Sequence, residues 1–348
     1  MSKKSTGLQF HDPTEQTTIN YIMTGFVDDT THWINSFSQA LQGLQSIPTL
    51  YKDTQQTAQW WEQLLHATGG KLELQKCFYY PIIWIFDEEG TPTLSDEENN
   101  RELVIISSEN GQSVQIKKKS PTISHKTLGI MENPSGDYSE EYNSLQDKAQ
   151  HWRMSITNQY LTRSESKIFH QSFFLPSMRY HLTVGTFTDQ QLLTIHHPII
   201  QTLLPRMGYN ANMPKPVVYG PIPTGVMGFQ SLMILQGSQK IKHLLQAYRH
   251  KSSLYRIIHT TFSWAQLVTG TSIQIFQDNT TQLPMLDKER WIQTLRHYLH
   301  HSRLQLHIPG LKCSERQRDN DVVLMDYAIK DSNITYQDTL YILSLIHI

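Results

Sequence analysis

Two adjacent carboxylates, Asp28 and Asp29, follow a short apolar run that ends in Gly25-Phe26-Val27. Oxygen ligands suit hard divalent cations such as Mg²⁺ or Mn²⁺. A pair of such ions can clamp the attacking and leaving oxygens of a phosphoryl transfer. Read alone, Asp-Asp is just as well the mark of a surface turn, because Asp is a common turn former. A second group of candidates is cationic: Lys240, Lys242, Arg249 and Arg256, with His243 and His250 among them. Steps of seven residues keep Lys242, Arg249 and Arg256 near one helical face. Such a face suits a phosphate backbone, which attracts Lys and Arg without regard to sequence; the plain alternative is a solvated helix surface. Trp291, Arg296, His300 and Arg303 make a weaker case of the same kind. The pairs His196-His197 and His300-His301 lack the Cys or carboxylate spacing of a zinc site, so no metal is expected there.

The elements that must position these residues change character along the chain. Ile19 to Phe26 and Thr30 to Phe37 are rich in β-branched and aromatic residues on either side of the Asp pair, which predicts strand, acidic turn, strand. Asp53 to Ala67 carries a capping Asp and apolar residues on one face, with Gly69-Gly70 to end it, and predicts a helix. Leu72 to Phe86 alternates and then runs apolar, predicting a strand pair or one strand bent at Pro81. Asp87 to Arg101 is acidic and polar, a surface loop. Glu102 to Lys118 predicts a hairpin turning at Asn110-Gly111. From Tyr138 the period becomes helical, over 139–163, 164–180, 188–208, 230–247, 252–268 and 287–303. The fold class is therefore α+β: a mixed front followed by a mostly helical remainder.

A net charge of −1 over 348 residues conceals an asymmetry. Residues 1–147 hold 10 Lys or Arg against 20 Asp or Glu, whereas residues 148–318 hold 19 against 6. An acidic block followed by a basic one predicts that the middle section faces a polyanion, unless the two simply pack on each other. The two cysteines, Cys77 and Cys313, are too few and too far apart for a disulfide framework or a zinc site. The sequence shows no run of 18 apolar residues, and no signal segment follows Met1-Ser2-Lys3-Lys4. An intracellular protein, nuclear or cytoplasmic, without a membrane partner, is the expectation.

The order of these blocks resembles the palm of reverse transcriptases, RNA-directed DNA polymerases of retrotransposons. There an aromatic-x-Asp-Asp turn is followed by a helix closed by glycine, a strand carrying a lysine, a hairpin and a Leu-Gly turn. Here the corresponding residues are Phe26-Val27-Asp28-Asp29, the helix ending at Gly69-Gly70, Leu72-x-Leu74-x-Lys76-Cys77, and Thr127-Leu128-Gly129-Ile130. Ala149-Gln150-His151-Trp152 and Phe174-Leu175-Pro176-Ser177-Met178-Arg179-Tyr180 are similar to the entry into the thumb of the non-LTR kind. The resemblance covers about residues 7–180 well and the remainder loosely. It implies that Asp28 and Asp29 ligate catalytic Mg²⁺ or Mn²⁺, and that Lys76, with Lys71 a rival, protonates the leaving pyrophosphate. It also implies that Leu128 and Gly129 form the primer grip, and that the partners are an RNA template, a DNA primer and deoxynucleotides. Phe26 stands where Tyr is commoner. The implied domains are 1–135, the later part of an antiparallel palm with its packed helix; 136–228, a helical thumb; and 229–348, a helical C-terminal region.

The family's palm needs a further metal-binding aspartate on a strand well upstream. Asp12, in His11-Asp12-Pro13, is the single Asp before Asp28 and reads as a turn residue, since the position before proline is pushed out of helix. The expectation is a fragment, inactive alone, whose Met1 is internal to a longer reading frame. Leu343 to Ile348 (LSLIHI) resembles translated sequencing-adaptor sequence and is expected to be artificial. A rival from another class is a non-catalytic nucleic-acid-binding protein derived from a retroelement.

Overall fold

The computed structural model describes residues 8–14, 17–21, 23–26, 29–34, 47–86, 88, 92–95, 102–277, 283–286, 290–316, 318–330 and 334–346. The chain is α+β; among the described residues, strands are confined to its front and helices dominate from Ser139 onward. It divides into two compact units. The first is drawn from residues up to Asp137, and the second begins for the most part at Tyr138, with Asp12–Glu15 and Leu128–Met131 assigned to it.

In the front unit, β1 (Leu8–His11) pairs with β2 (Thr18–Tyr21), and β3 (Met23–Phe26) pairs with β4 (Asp29–His32), both antiparallel. Helix α1 runs over Ile47–Ala67, six residues longer at its start than the sequence predicts. Asp53 looks like a cap, but Pro48 supplies the true start signal: its fixed φ and missing N–H suit a first helical turn. After the helix, Leu74–Lys76 form a 3₁₀ turn, not the expected strand. Leu74 is buried by that turn among Leu103, Ile105 and Ile116, so the alternation of apolar residues here reflects one anchored side chain rather than a pleat. Strands β5 (Phe78–Tyr79), β8 (Leu103–Ile106) and β9 (Ser113–Lys118) form one sheet in the order β5-β9-β8, with β5 parallel to β9 and β8 antiparallel to it. The Asn110-Gly111 hairpin closes as predicted, with Gly111 at φ 70°. The acidic stretch expected to be a loop contains a strand, β7 (Pro92–Leu94), which pairs with β6 (Trp84–Phe86). Strands β10 (His125–Thr127) and β11 (Ile130–Glu132) flank the two residues Leu128 and Gly129.

The second unit is helical. In chain order come α2 (Ser139–Thr157), α3 (Arg163–Ile168), a π-helical turn over Phe169–Phe174, α4 (Leu175–Val184) and α5 (Asp189–Arg206). They are followed by α6 (Lys215–Tyr219), α7 (Leu232–His250), α8 (Ser253–Thr269), α9 (Arg290–His301), α10 (Leu324–Ala328) and α11 (Tyr336–Ile346). Capping boxes at Thr162/Glu165 and Thr188/Gln191 start α3 and α5 by satisfying donors at each helix end. One apolar core gathers Leu145, Phe174, Met178, Leu182, Ile195, Leu203 and their neighbours; a second gathers Phe262, Phe276, Leu295 and Met325. Helix α7 joins them, giving Leu232 and Leu235 to the first and Leu244 to the second. The ring of Tyr298 lies so close to α7 at Gly237 that a Cβ there would fall 2.0 Å from it. Only glycine permits that approach of α9.

Candidate functional site

The ladder of β3 and β4 pairs Met23 with His32, Thr24 with Thr31, Gly25 with Thr30 and Phe26 with Asp29. Val27 and Asp28 are the two residues left between the strands. Asp28 lies outside the described residues, as does the side chain of Asp29. Farther along β4, His32 meets the ring of Trp61 on α1 edge-on, with centroids 4.8 Å apart, and burial pushes the imidazole below its usual pKa. The main partner of α1, however, is β8. Gln55 accepts the N–H of Val104 at 2.8 Å and donates to its carbonyl. Gln59 does both to Ile106, each at 2.8 Å. Glu62, one turn on, accepts the N–H of Ser108 at 2.8 Å and its hydroxyl at 2.6 Å. Three side chains on one helical face thus bond alternate residues along β8 and just past its end, at the edge of its sheet, as a neighbouring strand would.

Lys76 is exposed at the end of the 3₁₀ turn. Its rival Lys71 is committed elsewhere, to Glu109 at 2.6 Å in the β8–β9 turn. That hydrogen bond, aided by the charges, raises the lysine's pKa and lowers the glutamate's, both at the solvent surface. Asp12 is buried, and its Oδ1 accepts the N–H of Thr14 at 2.8 Å and the hydroxyl of Thr14 at 2.7 Å. This is the turn expected before Pro13.

Leu128 and Gly129 both adopt left-handed backbone, at φ 49° and 94°. Two positive φ values in succession define the type I′ connection, for which Asn-Gly is the preferred pair. A Cβ on Gly129 would meet nothing within 4 Å, so the glycine answers to φ and not to crowding. Leucine at the first position is disfavoured by its own Cβ, by about 1–2 kcal/mol. Two residues beyond the turn, the N–H of Met131 donates to Glu141 Oε2 at 2.8 Å. The fully buried Glu141 also binds Nδ1 of His181 at 2.5 Å, and Nε2 of His181 faces Lys148 Nζ at 3.3 Å.

No family model, curated protein or solved structure matches this chain. Among the described residues, no group of three or more His, Cys, Asp or Glu side chains could hold a metal ion, and no helix is long and apolar enough to cross a membrane.

The cationic candidates are redistributed by the fold. Lys242 and Arg249 are exposed on α7, but Arg256 is exposed on α8. Lys251 (φ 45°) and Ser252 end one helix and begin the next, so the seven-residue step does not run along a single face. Lys240 leaves the surface group altogether. It is fully buried, donates to the carbonyl of Gly185 at 2.8 Å just beyond α4, and is drawn down to about 7 by burial. Arg296 is buried too, donating to the carbonyl of Ile275, so the weaker basic face on α9 loses its central charge. His196 is a core residue, its Nε2 at 2.9 Å from Nε2 of His170. Burial holds both rings below their usual pKa, His170 at about 3. Sequence reasoning misses the Gln55/Gln59/Glu62 clamp, although three polar residues spaced by four and three on a core-facing helix side are a visible signal. The Glu141–His181 pair, 40 positions apart, offers none.

Proposed function

We propose that this chain handles nucleic acid as the palm-and-thumb portion of a reverse transcriptase of the non-LTR retrotransposon kind. In this reading Asp28 and Asp29 are the carboxylates for Mg²⁺ or Mn²⁺. The observation that carries it is the register of β3 and β4, which sets Phe26 opposite Asp29 with Val27-Asp28 between them. Further support is the order that follows: α1, the β5-β9-β8 sheet, then a Leu128-Gly129 turn with strained backbone at an exposed leucine. Strain held at a surface position needs a reason beyond stability, and contact with a primer is one. Adjacent carboxylates fit hard cations, which would neutralise charge on a transferring phosphoryl group. Lys76 is the proton donor of this reading, with RNA template, DNA primer and deoxynucleotides as its ligands.

The charge distribution also favours a second reading, a nucleic-acid-binding protein without catalysis, because the basic excess lies in residues 148–318 and not around the Asp pair. Manganese binding followed by electron paramagnetic resonance, beside binding of an RNA–DNA hybrid, separates the two. The first reading expects Asp28→Asn and Asp29→Asn each to weaken Mn²⁺ binding while hybrid binding persists. Unchanged Mn²⁺ affinity in both variants would leave only the second. No hybrid binding even at low salt would remove both.

A further inference from the structure

A ladder of four rings runs across the second unit between α2 and the π-helical turn. His151 and Trp152 have centroids 6.4 Å apart, Trp152 meets Phe169 at 5.5 Å edge-on, and Phe169 lies nearly parallel to Phe173 (12°) at 6.4 Å. The turn sorts its four aromatic residues by depth. His170 and Phe174 are fully buried against His196 and Phe229, whereas Phe169 is half-buried and Phe173 is 55% exposed. Ile168 and Met154, neighbours in sequence of Phe169 and Arg153, are both more than half exposed. Core packing accounts for the inner pair and for the inward side of Trp152 and Phe169, which lie against the same core, but not for the exposed ring of Phe173. π-turns occur disproportionately at functional sites.

Charge decides what would cover this surface. Residues 148–184 hold five Lys or Arg and a single carboxylate, Glu165. Glu165 is spent in its capping box, accepting from Thr162 at 2.8 and 2.7 Å. Of the five cations, Lys148 donates to the carbonyl of Ser177, and Arg163 to that of Met207. Arg153 remains exposed on α2 beside Trp152 in sequence, and the half-exposed Lys167 and exposed Arg179 lie on α3 and α4, the helices that run into and out of the π-helical turn. An apolar protein surface laid over the rings would strip water from these cations without replacing it. A single-stranded nucleic acid offers flat base faces for the rings and phosphates for the cations together. A duplex hides those base faces inside its own stack.

We infer that Trp152, Phe169 and Phe173, with Arg153, Lys167 and Arg179 supplied by the adjoining positions of α2, α3 and α4, form a stacking platform for single-stranded nucleic acid. The inference takes from the proposed function only that the partner is nucleic acid. It is tested with the full chain, by fluorescence anisotropy of labelled oligo(U) and oligo(dT) of about 20 nucleotides, beside a duplex of equal length. Phe173→Ala removes an exposed ring and spares the core beneath it. Single-strand affinity should fall on the order of tenfold, with an unchanged dependence on salt, and Phe173→Trp should restore it. Arg153→Gln with Arg179→Gln should instead flatten the salt dependence, by about 0.7 in log–log slope for each phosphate no longer neutralised. Unaltered single-strand affinity in Phe173→Ala overturns the platform, as does an equal loss on the duplex. Loss of self-association in sedimentation, with nucleic-acid binding intact, would make the surface a protein interface and also overturn it. If Phe173→Ala has no effect while Asp28→Asn still weakens Mn²⁺ binding, the platform alone falls. If Asp28→Asn and Asp29→Asn leave Mn²⁺ binding intact and Phe173→Ala weakens single-strand binding, the catalytic reading alone falls.

Discussion

The front unit and the helical unit place their polar side chains in opposite ways. In the front, Gln55, Gln59 and Glu62 reach across from a helix to finish the hydrogen bonds of a sheet edge. The apolar core behind them is small, with Leu74, Leu103, Ile105 and Ile116 as its buried members. In the helical unit the apolar cores are large, and they have absorbed ionisable groups: Glu141, His170, His196, Lys240 and Arg296 are all buried. A small core needs directional bonds to specify which strand edge a helix covers. A large one tolerates buried ionisable groups if backbone partners receive them or the group stays neutral. The front should therefore be sensitive to the loss of single hydrogen bonds, and the helical unit to pH.

The largest effect expected from this contrast is acid sensitivity of the helical unit. Burial holds His170 at about 3, while the unfolded ring titrates near its ordinary value of 6.5. Between those limits the unfolded chain binds a proton that the folded chain refuses. Stability present above pH 6.5 is thus lost as pH falls, by about 1.4 kcal/mol per pH unit for this ring. His196 acts in the same direction. In urea denaturation, the stability drop between pH 7.5 and 5.5 should be smaller in His170→Phe by about 1.4 kcal/mol. Parallel curves for the two proteins would place the acid sensitivity elsewhere.

A smaller effect is expected in the front. Gln59→Ala leaves the N–H and carbonyl of Ile106 open on the edge of β8, which should cost about 1 kcal/mol. An uncovered edge is also a template for pairing with another chain. The variant should therefore aggregate faster on mild heating, as followed by light scattering, while Gln63→Ala, an amide on the same helix without a bond to β8, should not. Equal behaviour of the two variants would reduce the clamp to simple packing.

What the sequence discloses depends on how local each determinant is. Asn110-Gly111 carries its turn within two residues, and the helices of the second unit carry their period within single segments, so both are legible. The start of α1 is obscured because Asp53 imitates a cap within the helix, five residues after Pro48. Lys76 reads as a strand residue because Leu72-x-Leu74 alternates, although only Leu74 is buried. Lys240 and Arg296 read as surface charge because their acceptors, Gly185 and Ile275, are distant in sequence. No helical pattern distinguishes a solvated cation from one that ends on such a carbonyl. The outer rings Phe169 and Phe173 stand in a segment that reads simply as helix, and only the π-turn divides its aromatic residues into buried and exposed members.

The smallest predicted effect tests whether backbone strain at the Leu128-Gly129 turn is put to use. Leu128 holds φ 49° at an exposed position, and Asn tolerates that region far better than Leu. Leu128 is 44% exposed, so burial in a core does not explain the leucine. Leu128→Asn should therefore stabilise the protein by up to about 1 kcal/mol, measured by thermal or urea unfolding. If the turn touches a primer, the apolar tip is what the strain maintains, and the same variant should bind an RNA–DNA hybrid more weakly. Higher stability with weaker hybrid binding is the trade expected where a strained residue serves a ligand. Higher stability with unchanged binding would leave Leu128 as a tolerated imperfection and would remove the primer-grip assignment. Lower stability would mean that packing of the Leu128 side chain outweighs its backbone strain, and the strain would then carry no functional meaning.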